Sequence, residues 1–150
     1  LIKLMGDKLL IFRISNLIGY TKYNLKKKHK TFIDIFFENI NNNIIFQNGS
    51  AYKDFIHINK FCMIIESAMK KKIHGVYNLS IGKKILLNRM ISWLNTHNKN
   101  KNQLIFKKNT KSESFYLNNK KLKSKINIKY NVSDLKKDCE KLSKQFFKNI

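Results

Sequence analysis

The sequence predicts an α/β fold with strands and helices in alternation. Short apolar runs of strand length are separated by longer segments whose apolar residues recur at helical spacing. Isolated glycine and asparagine residues separate these segments, and proline is absent. The chain has 150 residues, 43% of them hydrophobic, which is enough for one domain with a core. No internal repeat or linker indicates a second domain.

The first strand is predicted at Lys8–Ser15, where an apolar run contains a single internal charge. Asn16–Gly19 is predicted to end it, and Tyr20–Lys30 is a polar, lysine-rich loop. A helix follows, with Thr31 as its cap and Asp34 three residues later in an approximate capping box. The expected apolar face of this helix consists of Phe32, Ile35, Phe36 and Ile40.

The middle of the chain repeats this pattern. Ile44–Phe46 is a predicted strand and Gln47–Ser50 a tight turn marked by an Asn-Gly pair. The next segment, YKDFIHI, alternates and enters a helix for which Asn59 is the expected cap. The apolar face of that helix is expected to contain Phe61, Cys62, Ile65, Ala68 and Met69. Cys62 and Cys139 are therefore predicted to be buried, reduced thiols.

The last third begins with a strand at Val76–Ser80 and a turn at Gly82. A helix should follow with Leu87, Met90, Ile91 and Leu94 facing inward. Short strands are predicted at Leu104–Phe106 and Ser114–Leu117, and Ser133 is the expected cap of the final helix. The inward positions of the final helix are Leu135, Cys139, Leu142 and Phe146.

The net charge of +22 raises the question of nucleic acid as a partner. However, only Arg13 and Arg89 are arginine, and base readout favours the bidentate arginine fork over lysine. The lysines are also scattered, so we expect no specific nucleic-acid partner. No apolar run reaches membrane-spanning length, and charges interrupt the N-terminal segment, which excludes a signal-peptide core. We expect no membrane partner and a cytoplasmic location.

The residues alone do not provide a complete catalytic set. There is no glycine-rich phosphate loop, no histidine or cysteine pair at metal-ligand spacing and no nucleophile elbow. Asn16 is of interest because ligands of α/β sheets bind where strands end, although it is equally typical of a turn. Lys53-Asp54 and His57 are unusual in a segment that is otherwise suited to burial. A structural role for His57 is the simplest interpretation of the residues alone.

Four segments, taken in order, resemble the extended short-chain dehydrogenase/reductase family, which comprises NAD-dependent sugar-nucleotide epimerases and dehydratases. Phe12–Gly19 is similar to the L-R-x-x-N-x-x-G strand end of that family, and Ile44–Ile58 to its R-D-F-I-H-V segment. Gly75–Leu87 resembles the I-Y-N-I-G-x-G strand and turn, and Ser114–Leu122 the L-D-x-S-K-L segment. The resemblance implies the C-terminal part of a Rossmann-like sheet plus a small mixed α/β substrate-binding lobe over residues 1–150.

The same resemblance implies that the dinucleotide loop and the catalytic Tyr-x-x-x-Lys belong to an N-terminal half upstream of Leu1. NAD or NADP would be the cofactor, bound mainly by that half, and a nucleotide-diphosphate sugar would be the partner. Many family members form homodimers, through helices that we also expect upstream of Leu1. Epimerase, dehydratase and ketosugar reductase remain open as activities, typically in cell-surface polysaccharide biosynthesis, and no catalytic residue is expected in this chain.

The resemblance assigns roles residue by residue. Lys53 stands where the family places an arginine that holds the substrate diphosphate, and Asn16 matches an asparagine that binds the sugar nucleotide. Phe46 resembles an aromatic residue near the base, and Thr31 starts the helix that borders the nucleotide. Ser15 matches a cofactor-binding position near the nicotinamide.

Asp54 and His57 are expected to be scaffold residues that position Lys53. The sequence departs from the family at Asn59-Lys60, where an acidic pair is common, and at Ser112-Glu113, where many members carry an arginine. Two other readings stay open: a non-catalytic binding or assembly module with this fold and, as the weakest, a basic nucleic-acid-binding domain.

Overall fold

The computed structural model describes residues 9–19, 31–40, 46–47, 49–99, 106–107 and 114–148. The strands of this part are β1 (Leu10–Ile14), β2 (Asn16–Ile18), β3 (Phe46–Gln47), β4 (Tyr52–Lys53), β5 (Phe55–His57), β6 (Gly75–Leu79), β7 (Ile85–Leu86) and β8 (Phe106–Lys107). Its helices are α1 (Phe32–Ile40), α2 (Ile58–Lys70), α3 (Leu87–Leu94), α4 (Lys120–Lys123) and α5 (Val132–Phe147). None of these helices is long and apolar enough to span a bilayer.

Four strand pairs form the β-structure. β1 runs parallel to β6, and β2 runs parallel to β5. β3 and β8 are also parallel, whereas β4 and β7 are antiparallel. The chain changes partner between two consecutive residues, because the Ser15 N–H donates to the Leu79 carbonyl (3.1 Å) and the Asn16 N–H donates to the Asp54 carbonyl (3.2 Å). This change of partner brings β5 next to the end of β1.

The helices pack around these strands through apolar side chains. Phe37 of α1 stacks on Phe146 of α5 with ring centroids 4.1 Å apart. Met90 of α3 meets Cys139 of α5, where the two sulfur atoms are 3.5 Å apart. Burial raises the pKa of the Cys139 thiol, which therefore stays protonated and unreactive. α5 thus holds α1 and α3 in one core.

Several local predictions are confirmed. The Thr31 N–H and hydroxyl both donate to Asp34 Oδ2, at 2.9 and 2.7 Å, and the Asp34 N–H donates to Thr31 Oγ1 at 3.3 Å, which completes a capping box. The predicted inward face of α3 and the buried positions Leu135, Cys139 and Leu142 of α5 are also confirmed.

Other boundaries differ from the prediction. Asn16 does not end the strand region but opens β2. α2 is capped by His57 rather than Asn59, because His57 Nδ1 accepts the Asn59 N–H (3.2 Å). α5 is capped by Asn131 rather than Ser133, with Asp134 completing a capping box. In both helices the polar side chain that accepts a free N–H group lies two residues before the predicted cap.

Two predicted helix faces were wrong in part. In α1, Ile35 is 42% exposed, while Ile33 and Phe37 are buried beside the predicted Phe36 and Ile40. In α2, Ile64 and Ala68 are buried, whereas Cys62 is exposed and Met69 is 67% exposed. The prediction that Cys62 is buried is therefore wrong. In each helix the buried face is rotated by about one residue position relative to the predicted face.

The remaining predictions concern short or partly described segments. Ser114–Leu117 is not a strand, although the Phe115 N–H donates to the Tyr52 carbonyl (3.0 Å). The short helix α4 was not predicted. Only the last residue of each of the strands predicted at Ile44–Phe46 and Leu104–Phe106 belongs to the described strands β3 and β8. The predicted loop Tyr20–Lys30 lies outside the described residues.

Substitution of Gly82 by alanine is expected to destabilise the protein more than the same change at Gly75. Both glycines have positive φ, at 73° and 107°, so alanine is strained at either position by about 1–3 kcal/mol. A Cβ at Gly82 would also lie 2.5 Å from Asn119 Oδ1, whereas a Cβ at Gly75 would meet nothing closer than 3.9 Å. Urea unfolding of the two variants of the natural-length protein measures the difference. Equal losses of unfolding free energy in the two variants would contradict the close contact between position 82 and Asn119.

Candidate functional site

The side chain of Asn16 joins the end of β1 to the β4–β5 segment. Its Nδ2 donates to the Asp54 carbonyl oxygen at 2.9 Å, and its main-chain N–H donates to the same atom at 3.2 Å. Lys53 directly precedes Asp54 in the chain. The structure therefore brings Asn16 into contact with the residue that follows Lys53, although 37 positions separate Asn16 from Lys53.

The Asp54 side chain holds this place together. It is fully buried, and its Oδ2 accepts the main-chain N–H groups of Gly82 and Leu117, each at 3.2 Å. Ser80 supports the same contact, since its hydroxyl donates to the Leu117 carbonyl (3.0 Å) and accepts the Gly82 N–H (3.1 Å). Asp54 thus connects the strand end at Asn16 with the turn at Gly82 and with the 114–119 segment.

Burial raises the pKa of the Asp54 carboxyl above its ordinary value of 3.8. The N–H donors of Leu117 and Gly82 oppose this shift because they stabilise the charged form, but burial is the larger effect. Asp54 Oδ1 accepts no hydrogen bond within the described part of the chain. One carboxylate oxygen therefore accepts two hydrogen bonds, and the other is buried without a partner among the described residues.

Lys53 is half-buried on β4, and its ammonium group lies 4.9 Å from the centroid of the Phe115 ring. Phe115 is held there because its N–H bonds to the Tyr52 carbonyl, while the Tyr52 N–H donates to Ser114 Oγ (3.1 Å). The ring face attracts the cation without neutralising it. Lys53 makes no ion pair with a described residue, so its charge is available to an anion.

Ser15 precedes Asn16 and is 6% exposed. Its hydroxyl oxygen has no hydrogen-bond partner among the described residues. Buried hydroxyl groups are usually paired, so an unpaired one beside a candidate site fits a polar group supplied by a ligand. Ser15 was predicted as a cofactor-binding residue, and that role stays a prediction.

The other predicted site residues are less directly placed. The Thr31 hydroxyl is engaged in capping α1, and the adjacent Phe32 ring lies 5.9 Å from the ring of Phe55, so α1 begins beside β5. Phe46 belongs to β3, opposite Phe106, and its side chain lies outside the description. The roles predicted for Thr31 and Phe46 stay predictions.

His57 has a structural position at the start of α2. Its Nδ1 serves as the cap acceptor, and burial lowers its pKa, against an opposing effect of Asp138. The Tyr130 hydroxyl donates to Asp138 Oδ2 (2.8 Å) in the same region. The Arg13 side chain is exposed, so it does not contribute to the buried junction. A neutral, capping His57 agrees with the scaffold role expected from the sequence.

The sequence interpretation missed the polar residues that surround Asp54. Ser80 and Asn119 are buried, and Asn119 Nδ2 donates to the Ser80 carbonyl at 2.7 Å. Polar residues beside a predicted glycine turn were the available signal, but nothing local indicates that they meet Asp54. No group of three metal-ligating side chains occurs among the residues that the structure describes.

No family model and no curated protein sequence matches the chain. Solved structures do match. A UDP-N-acetylglucosamine 4-epimerase from Methanobrevibacter ruminantium M1, in complex with UDP-N-acetylmuramic acid, has a TM-score of 0.74 at 16% identity over 94% of this chain and 46% of its own. The Bordetella bronchiseptica enzyme WbmH, in complex with NAD+, has a TM-score of 0.74 at 15% identity, over 97% of this chain and 47% of its own. A dTDP-glucose 4,6-dehydratase from Bacillus anthracis, in complex with NAD, has a TM-score of 0.70 at 19% identity over 93% and 45%.

These matches establish the fold. The chain has a mixed α/β structure that corresponds to the C-terminal part of Rossmann-like epimerases of the extended short-chain dehydrogenase type, which confirms the predicted fold class. The chain spans about half the length of the solved structures that it matches. The fold thus agrees with the one that the sequence motifs predicted.

Two substitutions of Asp54 should behave differently. Asp54→Ala removes the acceptor of the Leu117 N–H and one of the two acceptors of the Gly82 N–H, so we expect a loss of about 1–3 kcal/mol of unfolding free energy. Asp54→Asn keeps one acceptor oxygen and resembles the protonated carboxyl, so we expect a change within about 1 kcal/mol at pH 7.

The Asp54→Asn variant also tests how the unfolding free energy depends on pH. A raised pKa means that the folded state binds the proton more tightly, so the unfolding free energy falls as pH rises above 3.8 through the folded pKa. Asp54→Asn should flatten this fall, as measured by urea unfolding across the acidic range. An unchanged pH profile in Asp54→Asn would contradict the assignment.

Proposed function

We propose that this chain is the substrate-binding half of an NAD(P)-dependent enzyme that acts on a nucleotide-diphosphate sugar, as an epimerase, dehydratase or ketosugar reductase. Residues 1–150 would provide the last strands of the Rossmann-like sheet and the sugar-nucleotide lobe. The observation that carries the proposal is the junction in which Asn16 bonds to the Asp54 carbonyl beside Lys53. The fold, shared with sugar-nucleotide enzymes at TM-scores of 0.70–0.74, supports it.

The role of Lys53 is to neutralise the diphosphate. Its ammonium group has an aromatic neighbour and no carboxylate neighbour among the described residues, so its N–H donors remain for phosphate oxygens. A lysine gives a point charge instead of the fork of arginine, which makes the contact less directional. Asn16 uses one N–H on Asp54 and keeps its carbonyl oxygen and second N–H for the ligand.

NAD(P), when bound, supplies the hydride acceptor and donor for a sugar carbon. Ser15 would lie against the cofactor, and its unpaired buried hydroxyl fits a polar partner there. Thr31 would set the start of the helix that borders the nucleotide, and Phe46 would pack near the base. We assign the glycine-rich loop and the Tyr-x-x-x-Lys pair to an N-terminal half, so these 150 residues alone would be inactive. The whole enzyme would act in the cytoplasm, and a homodimer is the assembly to test.

Lys53→Ala should raise the KM for the sugar nucleotide about tenfold or more, because one charged contact to the diphosphate is lost. Affinity for NAD should stay unchanged. Lys53→Arg should restore the KM, since arginine keeps the charge and adds the bidentate geometry. Steady-state kinetics of the natural-length enzyme, with NAD affinity measured in parallel, provides the test.

The matched control is Lys99→Ala, which removes an exposed lysine on the loop after α3. Equal losses of sugar-nucleotide and NAD affinity in Lys53→Ala would argue against the diphosphate role. A natural-length protein that binds a sugar nucleotide but converts it to no product, with either NAD(P) or NAD(P)H present, would favour the non-catalytic binding module.

A further inference from the structure

A second pair of a lysine and an aromatic ring lies next to the pair formed by Lys53 and Phe115. The consecutive rings of Phe115 and Tyr116 contact different lysines, Lys53 at 4.9 Å and Lys84 at 5.4 Å from the ring centroids. Neither Lys53 nor Phe115 lines the concave surface on which Tyr116 and Lys84 lie. The second pair therefore belongs to a separate surface.

That surface is a cleft of about 510 Å³ between the turn at Gly82 and the segment around α4. We call it the basic cleft and define it by Lys83, Lys84, Tyr116, Asn118, Lys120 and Lys123. Its volume lies within the range of about 300–1,000 Å³ that is usual for small-molecule sites.

The floor of the basic cleft is built from buried, hydrogen-bonded groups. The Gly82 N–H is held by Asp54 Oδ2, and the nearly buried Asn119 donates from Nδ2 to the Ser80 carbonyl. Gly82 and Asn119 are in such close contact that a Cβ on Gly82 would lie 2.5 Å from Asn119 Oδ1. The floor is therefore held in place before any ligand arrives, which reduces the ordering cost of binding.

The charge of the basic cleft is uncompensated. Four lysines and no carboxylate line it. None of these lysines makes an ion pair with a residue that the structure describes. Like charges around a concave surface focus the potential and attract anions. The lining therefore favours a ligand with more than one negative charge.

We propose that the basic cleft binds a mononucleotide with two or three phosphates, with the phosphates on the lysines and the base on the Tyr116 ring. Tyr116 is 48% exposed, so a ring face is available for stacking. A single-stranded nucleic acid would need a groove with successive aromatic platforms, and Tyr116 is the one aromatic side chain in the described lining of this cleft. The single ring favours one base rather than a strand.

The test observes Tyr116 directly in the natural-length protein. The protein is labelled with 3-fluorotyrosine, and the Tyr116 signal in the ¹⁹F NMR spectrum is assigned by its loss in Tyr116→Phe. ADP should shift this signal in a saturable way, inorganic pyrophosphate should compete, and adenosine should have little effect. The same titration with Lys53→Ala should be unchanged, which separates this site from the proposed substrate site.

The double variant Lys84→Ala/Lys120→Ala should weaken ADP binding about tenfold or more, the size expected when charged contacts are lost. The control Lys144→Ala removes an exposed lysine of α5 that does not line the cleft and should bind like the parent. Thermal melts of all variants check that the fold is retained. Unchanged ADP affinity in the double variant would overturn the proposal, as would a Tyr116 signal that responds to a thymidine decanucleotide but not to ADP.

Discussion

The buried carboxylate of Asp54 is the contact on which the junction depends. Its main-chain carbonyl receives two N–H groups of Asn16, and its side chain receives the N–H groups of Gly82 and Leu117. A carboxylate that loses water must be given donors, and here the donors come from segments far apart in the chain. The need to satisfy one buried acidic group therefore brings the glycine turn and the 114–119 segment together, and the main-chain carbonyl of the same residue holds the strand end at Asn16.

The junction also contains two of the described atoms that break the usual rule for buried polar groups. Asp54 Oδ1 and Ser15 Oγ are buried without a hydrogen-bond partner. Proteins tend to break local rules at functional sites and to support them with well-satisfied surroundings. The surroundings here are well satisfied, through Ser80, Asn119 and the Gly82 turn. This combination is the physical reason to place the candidate site at the junction.

The large positive charge indicates a candidate binding site only where the fold groups lysines with other side chains. Most of the described lysines are exposed, and two of these pair with nearby glutamates along helices, at 2.6 Å in Lys70–Glu66 and 3.5 Å in Lys136–Glu140. Such exposed pairs contribute little. Lys53 and Lys84 differ because each lies over an aromatic ring of the 114–119 segment. Lysine is thus a solvated surface residue at some positions and a candidate ligand-binding residue at others.

What the sequence determined by itself is mostly local. The Thr31–Asp34 capping box, the inward face of α3 and the α/β alternation follow from contacts within a few residues, and all are present. Only the tertiary structure decided that Cys62 is exposed and Ile64 buried, since both are apolar and the surrounding core sets which side of α2 turns inward. It also decided that Asn16 bonds to Asp54, the residue after Lys53, and that Asp54 meets Gly82 and Leu117. Those contacts join residues 28–63 positions apart, and local propensity carries no information about pairings over such distances.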